Sequence, residues 1–224
     1  MEKKMRKISL LTAAALLVLG GAAYAETQVQ ATTNLNVRSG PGPNYPVIGV
    51  LGTGQAATLK GCIADSKWCS IAEAGGDGWV YSDYLTSDFG GKTLVLSERP
   101  AESVQIVEPP ANMGGEGAVV GAATGAIAGA IVGGPIGAVV GAGAGTVVGG
   151  GVGTAIKPPD TVRTYISTNR AEPVYLEGEV VEGATLPDTV TFREIPDYEY
   201  RYVNVNGQDV LVDPGTRQVV YIVR

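Results

Sequence analysis

Histidine is absent from the 224 residues, and cysteine occurs only twice. Without histidine there is no Ser-His-Asp or Cys-His nucleophile system and no imidazole for zinc. Aromatic residues make up 6% of the chain, little for a large core. Basic charge is also scarce: the formal net charge is −6 and the pI about 4.7. Without residues 1–25, which hold Glu2, Lys3, Lys4, Arg6 and Lys7, 12 basic side chains face 21 acidic ones, a balance of −9. Nucleic-acid binders carry a basic face, so no nucleic-acid partner is expected. Residues 117–156 hold no charge at all. What the chain has in excess is glycine, 33 residues, about double ordinary usage.

The basic start, Met1–Lys7, is followed by an apolar run from Ile8 to Gly21 and by Ala23-Tyr24-Ala25. A short apolar run between a basic segment and a small-x-small site reads as a signal peptide, residues 1–25, cleaved before Glu26. The run is about 14 residues, short of the roughly 20 a membrane span needs. No cysteine follows the cleavage point to carry a lipid. The expected location is therefore outside the cytoplasm, in the periplasm or cell envelope, with outer-membrane association open. Composition divides the rest into residues 26–87, a polar and proline-broken linker at 88–116, the uncharged segment 117–156, and a C-terminal domain at 157–224.

In residues 26–87, Asn34-Leu35-Asn36-Val37-Arg38 alternates as a half-buried strand does. Ser39-Gly40-Pro41-Gly42-Pro43-Asn44-Tyr45-Pro46 is turn chemistry. Val47–Leu51, Ala56–Leu59, Lys67–Ile71 and Gly78–Tyr81 read as further short strands, which together favour a small β-barrel. The stretch Asn36–Gly42, Tyr45-Pro46-Val47-Ile48, Gly78-Trp79-Val80 and Tyr84-Leu85 resembles the bacterial SH3-like family. That resemblance implies a non-catalytic module that binds peptidoglycan or another envelope ligand. Cys62 and Cys69 are spaced for a disulfide across one hairpin, where closing an eight-residue loop contributes about 2.5 kcal/mol. A ligand groove needs aromatics beside polar groups, which makes Arg38, Tyr45, Trp68 and Tyr81 the candidate ligand-binding residues. A competing reading puts Trp68 and Trp79 in the core, Tyr84 over an open end, and Arg38 on a solvated loop.

The uncharged segment carries glycine at a fixed interval of four: Gly117, Gly121, Gly125, Gly129, Gly133, Gly137, Gly141, Gly145, Gly149 and Gly153. On a helix these share one face, and small-xxx-small repeats let helices approach closely. The register resembles the glycine-zipper family of envelope proteins. Gly133-Gly134-Pro135 breaks the segment near its middle, so the expectation is a helical hairpin, 117–132 and 136–155, packed glycine face to glycine face. Its partner would be a membrane or a second copy of the chain. With 14 Gly, 10 Ala and neither Leu nor Phe among 40 residues, a plain linker is the competing reading.

After Lys157-Pro158-Pro159, Asp160 is placed to cap a short helix carrying Val162, Tyr165 and Ile166, ending near Asn169. Val190–Arg193 and Tyr200–Val205 read as strands. Asn206-Gly207 is a hairpin turn, followed by Gln208–Val212, a turn at Asp213–Thr216 and a closing strand at Val219–Val223. Gly178-Glu179-Val180-Val181, Leu186-Pro187, Ile195–Tyr198, Tyr200–Tyr202, Val205–Gly207 and Val212–Val220 resemble the domain of unknown function 1236. That resemblance implies an exported protein and no assigned chemistry. Glu172, Glu177, Glu179, Glu182, Asp188, Glu194, Asp197 and Glu199 read as a solvated acidic face rather than a cation site.

The fold class expected is mainly β with α: an SH3-like barrel, a central helical hairpin, and a small α+β domain with an antiparallel meander. The function expected is a non-enzymatic envelope protein, without cofactor or metal, that touches cell wall through the barrel. The alternative is a soluble periplasmic binding or stress protein in which the glycine-rich segment only links. A wall hydrolase would need a catalytic domain for which the chain has no room.

Overall fold

Alternating residues in the first half of the chain fold into a single antiparallel sheet. The structure, a computed structural model, describes residues 27–73, 75–108, 131 and 156–224. The strands are β1 (Thr27–Ala31), β2 (Leu35–Arg38), β3 (Val47–Leu51), β4 (Ala56–Cys62), β5 (Trp68–Glu73), β6 (Gly76–Tyr81), β7 (Leu85–Asp88) and β8 (Thr93–Val95). Their order is β3-β2-β6-β5-β4-β1-β7-β8. The core between them holds Leu35, Leu51, Ile71, Val80 and Leu85, all fully buried. This fits an SH3-like β domain, with three strands more than the five read from the sequence. β1, β7 and β8 are the additions, and β8 lies in the stretch expected to be linker.

Cys62 on β4 and Cys69 on β5 stand directly opposite each other and form a disulfide with an S–S bond of 2.04 Å. A strap from the same stretch lies along β4 here. The Cys62 N–H donates to the Gln105 carbonyl at 2.9 Å and the Val107 N–H to the Cys62 carbonyl at 3.0 Å. Gly61 makes room for it. A Cβ there would stand 2.5 Å from Val107 Cγ1 and 2.6 Å from the Gln105 oxygen, closer than real contacts allow.

The second sheet has the order β12-β11-β10-β9, from β9 (Pro173–Val174), β10 (Arg201–Val205), β11 (Gln208–Val212) and β12 (Val219–Ile222). β10, β11 and β12 form an antiparallel meander, while β9 pairs with β10 in parallel. Asn206 and Gly207 both have positive φ, +53° and +80°, as the tight two-residue turn between β10 and β11 requires. Helix α1 (Asp160–Thr168) packs Val162 and Ile166 against Ile195, Tyr202 and Leu211 on one face of the sheet. The opposite face, with Val203, Val205, Val210 and Val212, is covered by Leu176, Val180, Leu186 and Val190. Two local readings change. Pro159, not Asp160, is the N-cap, and Asp160 instead pairs with Arg163 inside the first turn. Val190–Arg193 is not a strand; only Arg193 bridges to Tyr202.

The expected fold class needs correction at its centre. Among the described residues α1 is the only α-helix, and the rest is mostly β in sheets of eight and four strands. No central helical hairpin is present among them. Ile131, assigned to its first helix, is not helical. Its N–H donates to the Glu177 carbonyl at 3.0 Å instead of back along its own segment. The physical reason lies in the side chain: Ile131 packs against the cores of both domains, and burial there competes with helical pairing. The glycines from Gly117 to Gly153 lie outside the described residues, as do residues 1–25.

Candidate functional site

The two domains meet on the outer face of β2. Alternation along Leu35-Asn36-Val37-Arg38 would send Asn36 and Arg38 to solvent, yet all four residues are buried. Leu35 and Val37 enter the barrel core, and Asn36 and Arg38 are covered by the C-terminal domain. Arg38 keeps 1% of its surface exposed and Glu179 none. A charge so buried persists only when paired and hydrogen-bonded.

Arg38 is saturated. Its Nε donates to Glu179 Oε2 and its Nη2 to Glu179 Oε1 at 2.7 Å, a two-pronged pairing. Nη1 donates to the carbonyls of Pro43 (2.9 Å) and Tyr45 (2.7 Å), which holds the Ser39–Pro46 turn, and to that of Asn206 (3.3 Å). Asn36 Nδ2 donates to Glu179 Oε1 (3.0 Å), the Val180 carbonyl (3.4 Å) and Gln208 Oε1 (2.7 Å). Asn206 Nδ2 donates to the Gly178 carbonyl at 3.1 Å, and its Oδ1 accepts the Leu176 N–H at 2.8 Å. Gly178 has φ +104°, a backbone that side-chain-bearing residues rarely adopt, and this turns Glu179 towards β2.

Aromatic rings continue the face. Trp68 meets Tyr81 edge-on with ring centroids 5.4 Å apart, and Tyr81 lies 6.2 Å from Tyr84. A Cβ on Gly178 would stand 4.0 Å from the Tyr81 ring and 3.6 Å from Ile131 Cβ, so the segment around Gly178 lies against both. Tyr45 is half-buried, and its ring sits where a Cβ of Gly40 would be, 2.4 Å away, which explains the glycine in Ser39-Gly40-Pro41.

Of the four ligand candidates, Arg38 and Tyr81 thus sit beneath residues 177–180. Trp68 packs edge-on against Tyr81, and Tyr45 is joined to Arg38 through its carbonyl. Asn36, Glu179, Asn206 and Gln208 complete the network and were not read from the sequence as site residues. Among the described residues no group of His, Cys, Asp or Glu is arranged to hold a metal ion.

Burial pushes the Tyr81 phenol well above the ordinary 10.0, and Asp83, Glu177 and Glu179 push it the same way. Tyr84 is raised by burial, then by Asp83, Tyr81 and Glu179. In the unfolded chain both ionise near the ordinary value while the native state keeps its protons. Stability present below that pH should therefore fall as pH climbs above it. Near-ultraviolet tyrosinate absorbance should show both still protonated above the ordinary tyrosine value, and Phe at both positions should flatten the alkaline loss of thermal stability.

Three segments match known families: a bacterial SH3 domain over residues 33–86, a glycine zipper over 116–159, and a domain of unknown function (DUF1236) over 165–224. None is a catalytic family. The chain is also 37% identical over 73 residues to "Putative N-acetylmuramoyl-L-alanine amidase YrvJ" of Bacillus subtilis (strain 168). That stretch is 33% of this chain and 13% of the relative. The SH3 domain and this relative point to a cell-wall-associated module, and with the zipper they suggest envelope association. Among the described residues no helix is long and apolar enough to cross a membrane.

Proposed function

We propose that this chain is a non-enzymatic, exported cell-envelope protein whose SH3-like module binds peptidoglycan or another wall ligand. The observation that carries the reading is the bacterial SH3 match across residues 33–86. The buried disulfide supports an oxidising compartment, as does the signal-like start. The glycine-rich segment, with its register of four, serves membrane association or self-association. Catalysis finds no support, since the chain has no histidine and both cysteines are joined.

The full chain lacking residues 1–25 should co-sediment with insoluble peptidoglycan well above a control protein of similar charge. Sedimentation no greater than that control would reject wall binding. Fractionation of cells should place the protein with envelope membranes, and a wholly soluble periplasmic pool would reject membrane association.

A further inference from the structure

The face that the SH3-like module would offer a ligand is filled by the protein's own chain. On the module's side stand a guanidinium edge, a side-chain amide and an aromatic ring: Arg38 Nε and Nη2, Asn36 Nδ2 and Tyr81. Arg38 is pre-set for this task, because the Pro43 and Tyr45 carbonyls fix its other nitrogen from within the module. The remaining edge is a fork that matches a carboxylate. On the other side stands a peptide bent at Gly178, Glu177-Gly178-Glu179-Val180-Val181. Its carboxylate takes the fork, its Val180 carbonyl takes Asn36, and its glycine lies against the Tyr81 ring.

We infer that residues Glu177–Val181 occupy, in cis, a carboxylate-recognising peptide site of the SH3-like module. The module is self-occluded in this state and, once the segment lifts, receives an acidic peptide group in the place of Glu179. This rests on the wall-binding reading and deepens it: the wall feature recognised is a peptide carboxylate beside a small residue. One physical argument favours a releasable contact over a permanent weld. A buried ion pair adds little net stability compared with an apolar contact of the same size. Ile131, from the glycine-rich segment, also donates to the Glu177 carbonyl and packs beside Gly178, so it touches the plug directly.

The test uses the full chain lacking residues 1–25 and two variants altered only in the plug. Glu179→Gln removes the charge, and Gly178→Ala strains the backbone at φ +104°. Hydrogen exchange over residues 176–181 should speed up about tenfold in both, and retention on peptidoglycan freed of phosphate polymers should rise by about the same factor, because apparent affinity scales with the open fraction. Adding Arg38→Lys to Glu179→Gln should abolish the gain, since lysine keeps the charge without the fork. Exchange unchanged in both variants would overturn the plug. Wild-type retention with no gain on opening would overturn occlusion and leave wall binding standing. Failure of all forms to bind despite faster exchange would reject wall binding and this inference together. Retention only on wall that keeps its phosphate polymers would overturn the peptide carboxylate as ligand.

Discussion

Glu179→Ala should cost about 3–5 kcal/mol of unfolding free energy, the range for breaking a buried pair by removing one partner. The loss would not be that of a single hydrogen bond. Arg38 would keep its charge at 1% exposure with two donors facing an apolar methyl, and Asn36 would lose one acceptor. If the segment lifts so that water can reach Arg38, the loss appears instead as exposure of Val180, Val181 and Ala184, all fully buried here. Arg38→Met should cost at least as much, because it also strips the Pro43, Tyr45 and Asn206 carbonyls of a donor. The double variant should cost less than the sum of the two, since no unpaired charge remains. It should not return to wild type, because those three carbonyls lose their Arg38 donor. Glu179→Gln, which preserves volume and one acceptor, should fall between wild type and Glu179→Ala. Denaturant unfolding followed by Trp68 and Trp79 fluorescence measures all four. A Glu179→Ala loss below about 1 kcal/mol, the scale of an exposed pair, would mean that Glu179 is not buried on Arg38.

The same contact shows where sequence reading stops. Alternation in Leu35–Arg38 reports that one face of a strand is covered, and the core takes Leu35 and Val37 accordingly. It does not report that the polar face is covered too, because the cover comes from residue 179, 141 positions away. Sequence alone groups Glu179 with seven other acidic residues as solvated, since nothing local separates a carboxylate bound for an arginine from one bound for water. Local chemistry was more legible. Asn206-Gly207 makes the turn its dipeptide specifies, and Cys62 and Cys69 pair across the hairpin their spacing suggests. β7 and β8 escape a reading by period because Leu85–Asp88 holds a single apolar residue and Thr93–Val95 is only three residues long. β9 is two residues long and exists only because β10 lies beside it. The helical expectation for Ile131 failed differently: a glycine period fixes which residues would share a helix face, but not what a single isoleucine meets in the folded chain.

Loss of the Cys62–Cys69 bond should be the second large effect, and it should reach beyond the hairpin. Its loop spans eight residues, and closing such a loop contributes about 2.5 kcal/mol in the chain-entropy view. Both cysteines are fully buried, so Cys62→Ala with Cys69→Ala adds a packing loss. The total should come to about 3–5 kcal/mol, the upper part of the range for removing a native bridge from a small domain. Cys62 also carries the strap: its N–H and carbonyl are both taken by Gln105 and Val107. Freed of its bridge, the end of β4 should fray, and residues 104–108, which lead into the glycine-rich segment, should loosen with it. Hydrogen exchange should therefore quicken at Val107 as well as between residues 62 and 69. Val203 and Val210, in the other sheet, should be far less affected, because they sit in a separate core. Reductant added to the unfolded wild-type chain should reproduce the stability loss without the packing term, while native protein should resist alkylation. A double alanine variant that unfolds within about 1 kcal/mol of wild type, or a strap whose exchange stays unchanged, would show that strap and hairpin are not coupled through Cys62.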